Sequence, residues 1–127
     1  MEQIYSEDRS KWPYGLNPDG FNGGLYLIRE KQASLPVGFA GFQIRNELAG
    51  SSPIKVGYYS IGILPAYRRQ GLGKAAVAQL LAKKASTVDV VRALIVEGNT
   101  PSLRLASALD VPVLLKKMAS WITGGRF

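Results

Sequence analysis

The residues of this chain that are best suited to chemistry form a basic loop with two glycines, Arg-Arg-Gln-Gly-Leu-Gly-Lys at residues 68–74. Glycines allow a tight turn with exposed backbone amides, and the start of a helix adds partial positive charge. Arg68, Arg69 and Lys74 add formal charge in the same place. The loop is therefore predicted to bind a phosphate or pyrophosphate; the alternative is a strand-to-helix turn whose basic residues face solvent.

The amino-acid composition limits the chemistry that could take place beside this loop. The 127 residues include no cysteine and no histidine, which excludes thiolate nucleophiles, imidazole bases and most zinc sites. We expect no metal, and catalysis would use carboxylates, Tyr, Ser, Lys, Arg or backbone amides. The formal charge of +7 attracts polyanions, including phosphorylated cofactors. Nucleic-acid binding has only the net charge in its favour and is not expected.

Two hydrophobic periodicities divide the chain into strands and helices. Apolar runs bounded by turn residues predict strands at residues 24–30, 37–45 and 55–64, and their short connections make them antiparallel. Helical spacing begins at Leu72, a strand of the buried type follows at residues 90–96, and Asn99 is placed to begin a second helix. The expected fold is α/β (α+β), a mixed sheet of antiparallel strands followed by strand, helix, strand and helix.

Three segments are expected along the chain. Residues 1–24 are rich in proline and glycine and are predicted to be irregular, residues 25–112 form the core, and residues 113–127 form a short tail with one more helix as the candidate element. No apolar run approaches the roughly 20 residues that cross a bilayer. The N-terminus is acidic and polar, unlike a secretory signal. A cytoplasmic protein without a membrane partner is expected.

Two other types of phosphate-binding loop match residues 68–74 only in part. A Walker A loop needs glycine five positions before the Gly-Lys pair and Ser or Thr after the lysine, but Arg68 and Ala75 occupy these positions. The dinucleotide-binding pattern G-x-G-x-x-G/A matches residues 71–76, yet its first glycine should directly follow a strand. Residues 65–70 intervene here, and three antiparallel strands do not precede that motif in the dinucleotide-binding fold.

The sequence from residue 61 to residue 73 resembles the cofactor-binding signature of the GNAT acyltransferases. Residues 68–73 meet the pattern Q/R-x-x-G-x-G/A, and residues 61–67 (Ile-Gly-Ile-Leu-Pro-Ala-Tyr) are similar to the apolar run that precedes it. Residues 96–105 are similar to the family's strand-exit Asn and the helix after it. The resemblance covers about residues 25–111 and implies a GNAT-like fold that uses acetyl-CoA as co-substrate.

The resemblance also implies which residues hold the cofactor. The glycine loop would bind the CoA pyrophosphate, and a bulge in the preceding strand would open its backbone at Ile61 and Ile63 to the pantetheine arm. Asn99 and Ser102 match positions near the thioester, and Asn99 could equally cap the helix. The loop residues implicated are Arg68, Arg69, Gln70, Gly71, Leu72, Gly73 and Lys74.

The catalytic positions of the family are not matched. The tyrosine that the family places seven residues after the Asn is Ala106 here, and residues 55–61 contain no carboxylate. Glu97, at the exit of the fourth predicted strand, is the candidate base, with a solvated strand-end residue as the alternative. Tyr58 and Tyr59 are expected to pack on opposite faces of the sheet. Both ends of the chain are shorter than the resemblance leads us to expect.

Two functions follow from these observations. The first is an acetyl-CoA-dependent N-acetyltransferase whose acceptor is the amine of a small molecule or a protein. The alternative is a non-catalytic GNAT-like structural or binding protein, because truncated forms resemble small virion proteins of short-tailed bacteriophages that share the Gly-Asn-Thr of residues 98–100. A virion location and a homo-oligomer or assembly partner would accompany that alternative.

Overall fold

The computed structural model describes residues 2–4 and 18–117, which form one six-stranded mixed sheet in the order β1-β2-β3-β4-β5-β6. Two α-helices cross between strands in the second half of the chain. This arrangement confirms the expected mixed α/β fold. The strands are β1 (Glu2–Ile4), β2 (Leu25–Ile28), β3 (Gly38–Ala49), β4 (Ser52–Ile63), β5 (Val90–Val96) and β6 (Val113–Lys116), and the helices are α1 (Leu72–Lys84) and α2 (Thr100–Ala108).

Strands β1 to β4 are antiparallel, as predicted for the strands read from the sequence. The longest pairing joins β3 and β4 through a two-residue turn at Gly50 and Ser51. The sequence predicted a longer connection over residues 46–53. The strands extend into that region because the pairing continues without a break from Gly38↔Ile63 to Ala49↔Ser52.

The pairing becomes parallel beyond β4. Helix α1 connects β4 to β5, and helix α2 connects β5 to β6. Within residues 18–117, short 3-10 turns lie at Pro18–Gly20, Pro65–Tyr67 and Ala85–Thr87. None of the helices in the described ranges has the length and the hydrophobicity that a membrane crossing requires.

The main core lies between the helices and one face of the sheet. It contains the buried Ala76, Val77 and Leu80 of α1, Ala106 of α2, and Phe42 of β3. A smaller cluster of Leu25, Leu27, Phe21 and Phe39 packs on the opposite face. Because side chains alternate across a strand, residues 57, 59, 61 and 63 of β4 lie on the face of the sheet that packs against the helices.

The two ends of the described chain differ from the sequence-based expectation. Residues 113–116 form strand β6, not a helix, because their backbone pairs in parallel with residues 93–96 of β5. Residues 2–4 form strand β1, within the segment predicted to be irregular. The rest of that segment up to residue 17, and the tail from residue 118, lie outside the described residues.

Packing in the core predicts the effect of a single methyl group at Gly57. A Cβ there would overlap the ring of Phe42, with the ring's Cε2 only 2.8 Å away, and Phe42 is fully buried. Overpacking of this kind costs about 1–3 kcal/mol. We expect Gly57→Ala to lower the free energy of unfolding by about that amount in urea denaturation followed by circular dichroism.

Gly20→Ala is the matched control, since no atom lies within 4 Å of a Cβ at that position. Its unfolding free energy should stay within about 0.5 kcal/mol of the wild type. Equal denaturation midpoints for the two variants would contradict the packing described around Phe42.

Candidate cofactor site

The candidate site lies where strands β4 and β5 separate. Their parallel pairing covers only Val56 to Tyr58 on β4 and Val90 to Arg92 on β5. From Ala93 onward β5 pairs with β6 instead. The second half of β4 therefore has β3 on one side and an open edge on the other. A cavity of about 360 Å³ occupies this opening.

Three elements supply the walls of the cavity. Strand β4 forms one wall, the start of α2 forms the opposite wall, and the segment from the 3-10 turn into α1 closes one end. The lining residues are Tyr59, Ile61, Gly62, Ile63, Arg68, Gly73, Asn99, Pro101, Ser102 and Leu105. An apolar cleft with a few convergent polar groups is the usual form of a cofactor site.

The glycine loop adopts the turn that its sequence predicts. Gly71 caps α1 with φ of 76°, a left-handed conformation that glycine adopts without steric cost. The first turn of an α-helix leaves its N–H groups without helical acceptors, and here these groups belong to Leu72, Gly73 and Lys74. The loop thus presents backbone donors and the positive end of a helix at one end of the cavity.

Gly73 brings the start of α1 close to both walls. A Cβ at this position would lie 3.5 Å from Cδ1 of Leu105 and 3.8 Å from Cγ1 of both Ile61 and Ile63. These are ordinary contact distances, so alanine would fit while a long side chain would extend into the cavity. A small residue at position 73 therefore keeps this end of the cavity open.

Arg68 is held at the cavity by the strand that ends just before it. Its Nε donates a hydrogen bond to the carbonyl oxygen of Ile63 at 2.9 Å. The side chains of Arg69 and Lys74 are exposed beside it. The loop therefore carries three cationic residues together with its exposed amides, which suits a ligand of more than one negative charge.

Asn99 and Ser102 lie on the opposite wall. The side-chain oxygen of Asn99 accepts a hydrogen bond from the Ser102 amide at 3.3 Å, so Asn99 caps α2. A cap of this kind contributes about 1 kcal/mol to helix stability. Both residues line the cavity as well. Asn99 is therefore placed to cap α2 and to contact a bound cofactor at the same time.

The structure brings together most of the residues singled out in the sequence. Ile61, Ile63, Arg68, Gly73, Asn99 and Ser102 line the cavity, while Arg69, Gln70, Gly71, Leu72 and Lys74 belong to the loop at its end without lining it. Glu97 is not brought into the lining. Its side chain is exposed at the end of β5, and its amide donates to the Lys116 carbonyl oxygen at 2.8 Å.

One structural detail corrects the expectation for β4. The resemblance implied a bulge, but the register of β3 against β4 is continuous along the whole strand. The opening arises on the other side of β4, where β5 turns to β6 as its pairing partner. The same backbone edge at Ile61 and Ile63 becomes accessible without a bulge toward β3.

Tyr59 is a lining residue that the sequence did not assign to the site. It is 9% exposed, and its hydroxyl oxygen has no hydrogen-bond partner among the described residues. Burial raises the pKa of this hydroxyl. The signal was present in the sequence, because positions 59, 61 and 63 share one face of a strand.

The neighbouring Tyr58 points to the opposite face of the sheet, as expected. Its hydroxyl donates to Oε2 of Glu47 at 2.5 Å, and Arg92 pairs with the other carboxylate oxygen at 3.0 Å. Arg45 lies over its ring, 4.9 Å from the centroid. Burial and the hydrogen bond to Glu47 raise the pKa of Tyr58. This tyrosine is fully partnered, in contrast to Tyr59.

Solved structures share this architecture. An acetyltransferase from Trypanosoma brucei is 18% identical, with a TM-score of 0.64 over 93% of this chain and 95% of that one. The aminoglycoside N-acetyltransferase AAC(6')-Iy, solved in complex with CoA, is 23% identical with a TM-score of 0.55, over 68% of this chain and 65% of that one.

A third structure, assigned to the GNAT-family acetyltransferases of Bordetella pertussis, is 32% identical with a TM-score of 0.52, over 68% of this chain and 52% of that one. The match to a Bacillus halodurans protein spans 64% of that protein's length. No curated protein matches the chain significantly in sequence.

The family comparison agrees with the site. The model of the acetyltransferase (GNAT) family matches residues 2–110, a range that includes the glycine loop, the open edge of β4 and the capped start of α2. With the parallel pair β4–β5, the loop that begins α1 and the cavity between them in place, this chain belongs to the GNAT acetyltransferase family.

Proposed function

We propose that this protein is an acetyl-CoA-dependent N-acetyltransferase that transfers the acetyl group to an amine. The observation that carries the proposal is the cavity between β4 and β5, which has an open strand edge along one wall and the cationic glycine loop at one end. Family membership supports it, as does the CoA complex of a structural relative. Nothing in the comparisons supports the non-catalytic alternative.

The proposed binding mode follows the chemistry of CoA. The pyrophosphate would accept hydrogen bonds from the amides of residues 69–74, and Arg68, Arg69 and Lys74 would offset its charge. The pantetheine arm contains two amide groups, which would pair with the unpaired backbone edge of β4 near Ile61 and Ile63. Asn99 and Ser102 would contact the arm from the α2 side.

The transfer step needs a neutral amine and a group that takes its proton. We propose Glu97 for this role, directly or through water. Among the carboxylates of residues 18–117, it is the one on the segment that leads into the cavity wall at Asn99. By contrast, Asp89 lies at the other end of β5, where it accepts a hydrogen bond from the Lys55 amide at 2.8 Å.

The size of residue 73 tests the proposed binding mode. Calorimetric titration with acetyl-CoA should show saturable binding to the wild type and none to Gly73→Arg, because the long side chain would enter the cavity beside Ile61 and Leu105. Gly73→Ala is the matched control and should bind acetyl-CoA and retain its melting temperature, since alanine makes only ordinary contacts there.

Absence of binding to the wild type at millimolar acetyl-CoA would overturn the proposed function. Binding together with no release of thiol, over a panel of small amines and lysine-containing peptides, would favour the non-catalytic alternative instead.

Removal of the carboxylate charge tests the proposed base. With an active amine, Glu97→Gln should lower kcat/KM by about 100-fold or more while leaving the dissociation constant of acetyl-CoA unchanged. Asp110→Asn is the control, because Asp110 is exposed at the far end of α2 and asparagine tolerates its φ of 56°. Wild-type rates for Glu97→Gln in a thiol-release assay would show that another group or water takes the proton.

A further inference from the structure

Tyr59 lines the cavity, and its hydroxyl is a buried donor without a hydrogen-bond partner among the described residues. Its ring packs in the main core with residues of both helices, which leaves the residue 9% exposed. Within the described part of the chain, no protein group accepts or donates a hydrogen bond at this oxygen. A buried hydroxyl without a hydrogen bond destabilises a protein. A polar ligand group that forms a hydrogen bond with this hydroxyl would therefore be stabilising.

The position of Tyr59 along β4 indicates which ligand group would meet it. The last residues paired between β4 and β5 are Tyr58 and Arg92, so Tyr59 is the first residue of β4 beyond the point where the strands separate. The glycine loop follows the other end of the open edge, after Ile63. Since strands rise about 3.4 Å per residue, four residues place the two ends of this edge roughly 14 Å apart.

A CoA thioester bound in the proposed way would extend between these two ends. Its phosphates would lie at the loop, and its pantetheine arm would follow β4 from Ile63 toward Tyr59. The sulfur and the acyl carbon, which are at the far end of the arm, would then approach the narrow end of the opening. Tyr59 is the lining residue with a hydroxyl on this part of β4.

We infer that Tyr59 is a catalytic residue that hydrogen-bonds to the thioester sulfur and protonates the departing thiolate. This inference rests on the proposed function. The amine nitrogen forms a bond to the acyl carbon, the carbon–sulfur bond breaks, and its electron pair takes the proton of the Tyr59 hydroxyl. Glu97 takes the proton released by the attacking amine, directly or through water, and a proton returned through water restores the tyrosine. The products are the amide and CoA thiol.

Two further observations support the assignment. Burial raises the pKa of the Tyr59 hydroxyl, which keeps it in the proton-donating form at neutral pH. Ala106 of α2 is fully buried in the same core cluster as Tyr59. Among the residues that line the cavity, Tyr59 is the one that has an aromatic hydroxyl.

The inference is tested by comparing CoA with desulfo-CoA, which lacks the sulfur. In calorimetric titrations, Tyr59→Phe should weaken binding of CoA about three- to tenfold and leave binding of desulfo-CoA unchanged. With an active amine, its kcat should fall by about 100-fold or more, while the KM for acetyl-CoA should rise by no more than the three- to tenfold loss expected for CoA affinity. Its melting temperature should equal or exceed that of the wild type, because the lost hydroxyl has no partner.

Tyr58→Phe is the matched control, as it removes the adjacent hydroxyl on the opposite face. This variant should lose stability, because its hydrogen bond to Glu47 is lost, while its preference for CoA over desulfo-CoA and its kcat remain those of the wild type. If Tyr59→Phe kept the wild-type ratio of CoA affinity to desulfo-CoA affinity and the wild-type kcat, the inference about Tyr59 would be overturned and the proposed function would stand. A wild-type protein that binds neither CoA nor acetyl-CoA would overturn the proposed function as well.

Discussion

The early end of the pairing between β4 and β5 is the constraint on which the rest of this structure depends. Parallel strands in a sheet normally satisfy each other's backbone groups along their shared length. Here β5 continues by pairing with β6, whereas the second half of β4 keeps a partner on one side only. Backbone groups beside an apolar cavity need water or a ligand for their hydrogen bonds, and a ligand with amide groups meets that need.

The other features of the site follow from this separation. Helix α1 must begin at the wide end of the opening, and Gly71 allows the sharp turn that starts it. Asn99 caps α2 on the facing wall, which fixes that wall relative to β5. Positive charge accumulates at the wide end, and the buried hydroxyl of Tyr59 lies at the narrow end. The cavity therefore has cationic groups at one end and a neutral hydroxyl at the other. This difference matches a cofactor that has phosphates at one end and a thioester at the other.

Local signals explain how much of this could be predicted from the sequence. The glycine loop, the end of the strand before it and the cap at Asn99 depend on residues close together in the chain, and each was predicted within one residue of its observed position. The start of that strand, at Ser52 and not residue 55, depends on pairing with β3. Strand β6 could not be predicted from Val113 to Lys116 alone, because a four-residue strand forms only by pairing with β5. Tyr59 was assigned to packing, since burial of its hydroxyl without a partner is a tertiary property.

The most direct test of the account is an amide NMR titration of the wild-type protein with acetyl-CoA. We expect the shifts to concentrate at residues 59–63, 69–74 and 99–102. A second cavity, of about 430 Å³ and lined by Pro53 to Lys55 and Ser86 to Asp89 among others, should be unaffected. Shifts centred on that second cavity, or no shifts at millimolar ligand, would contradict the claim that the opening between β4 and β5 is a cofactor site.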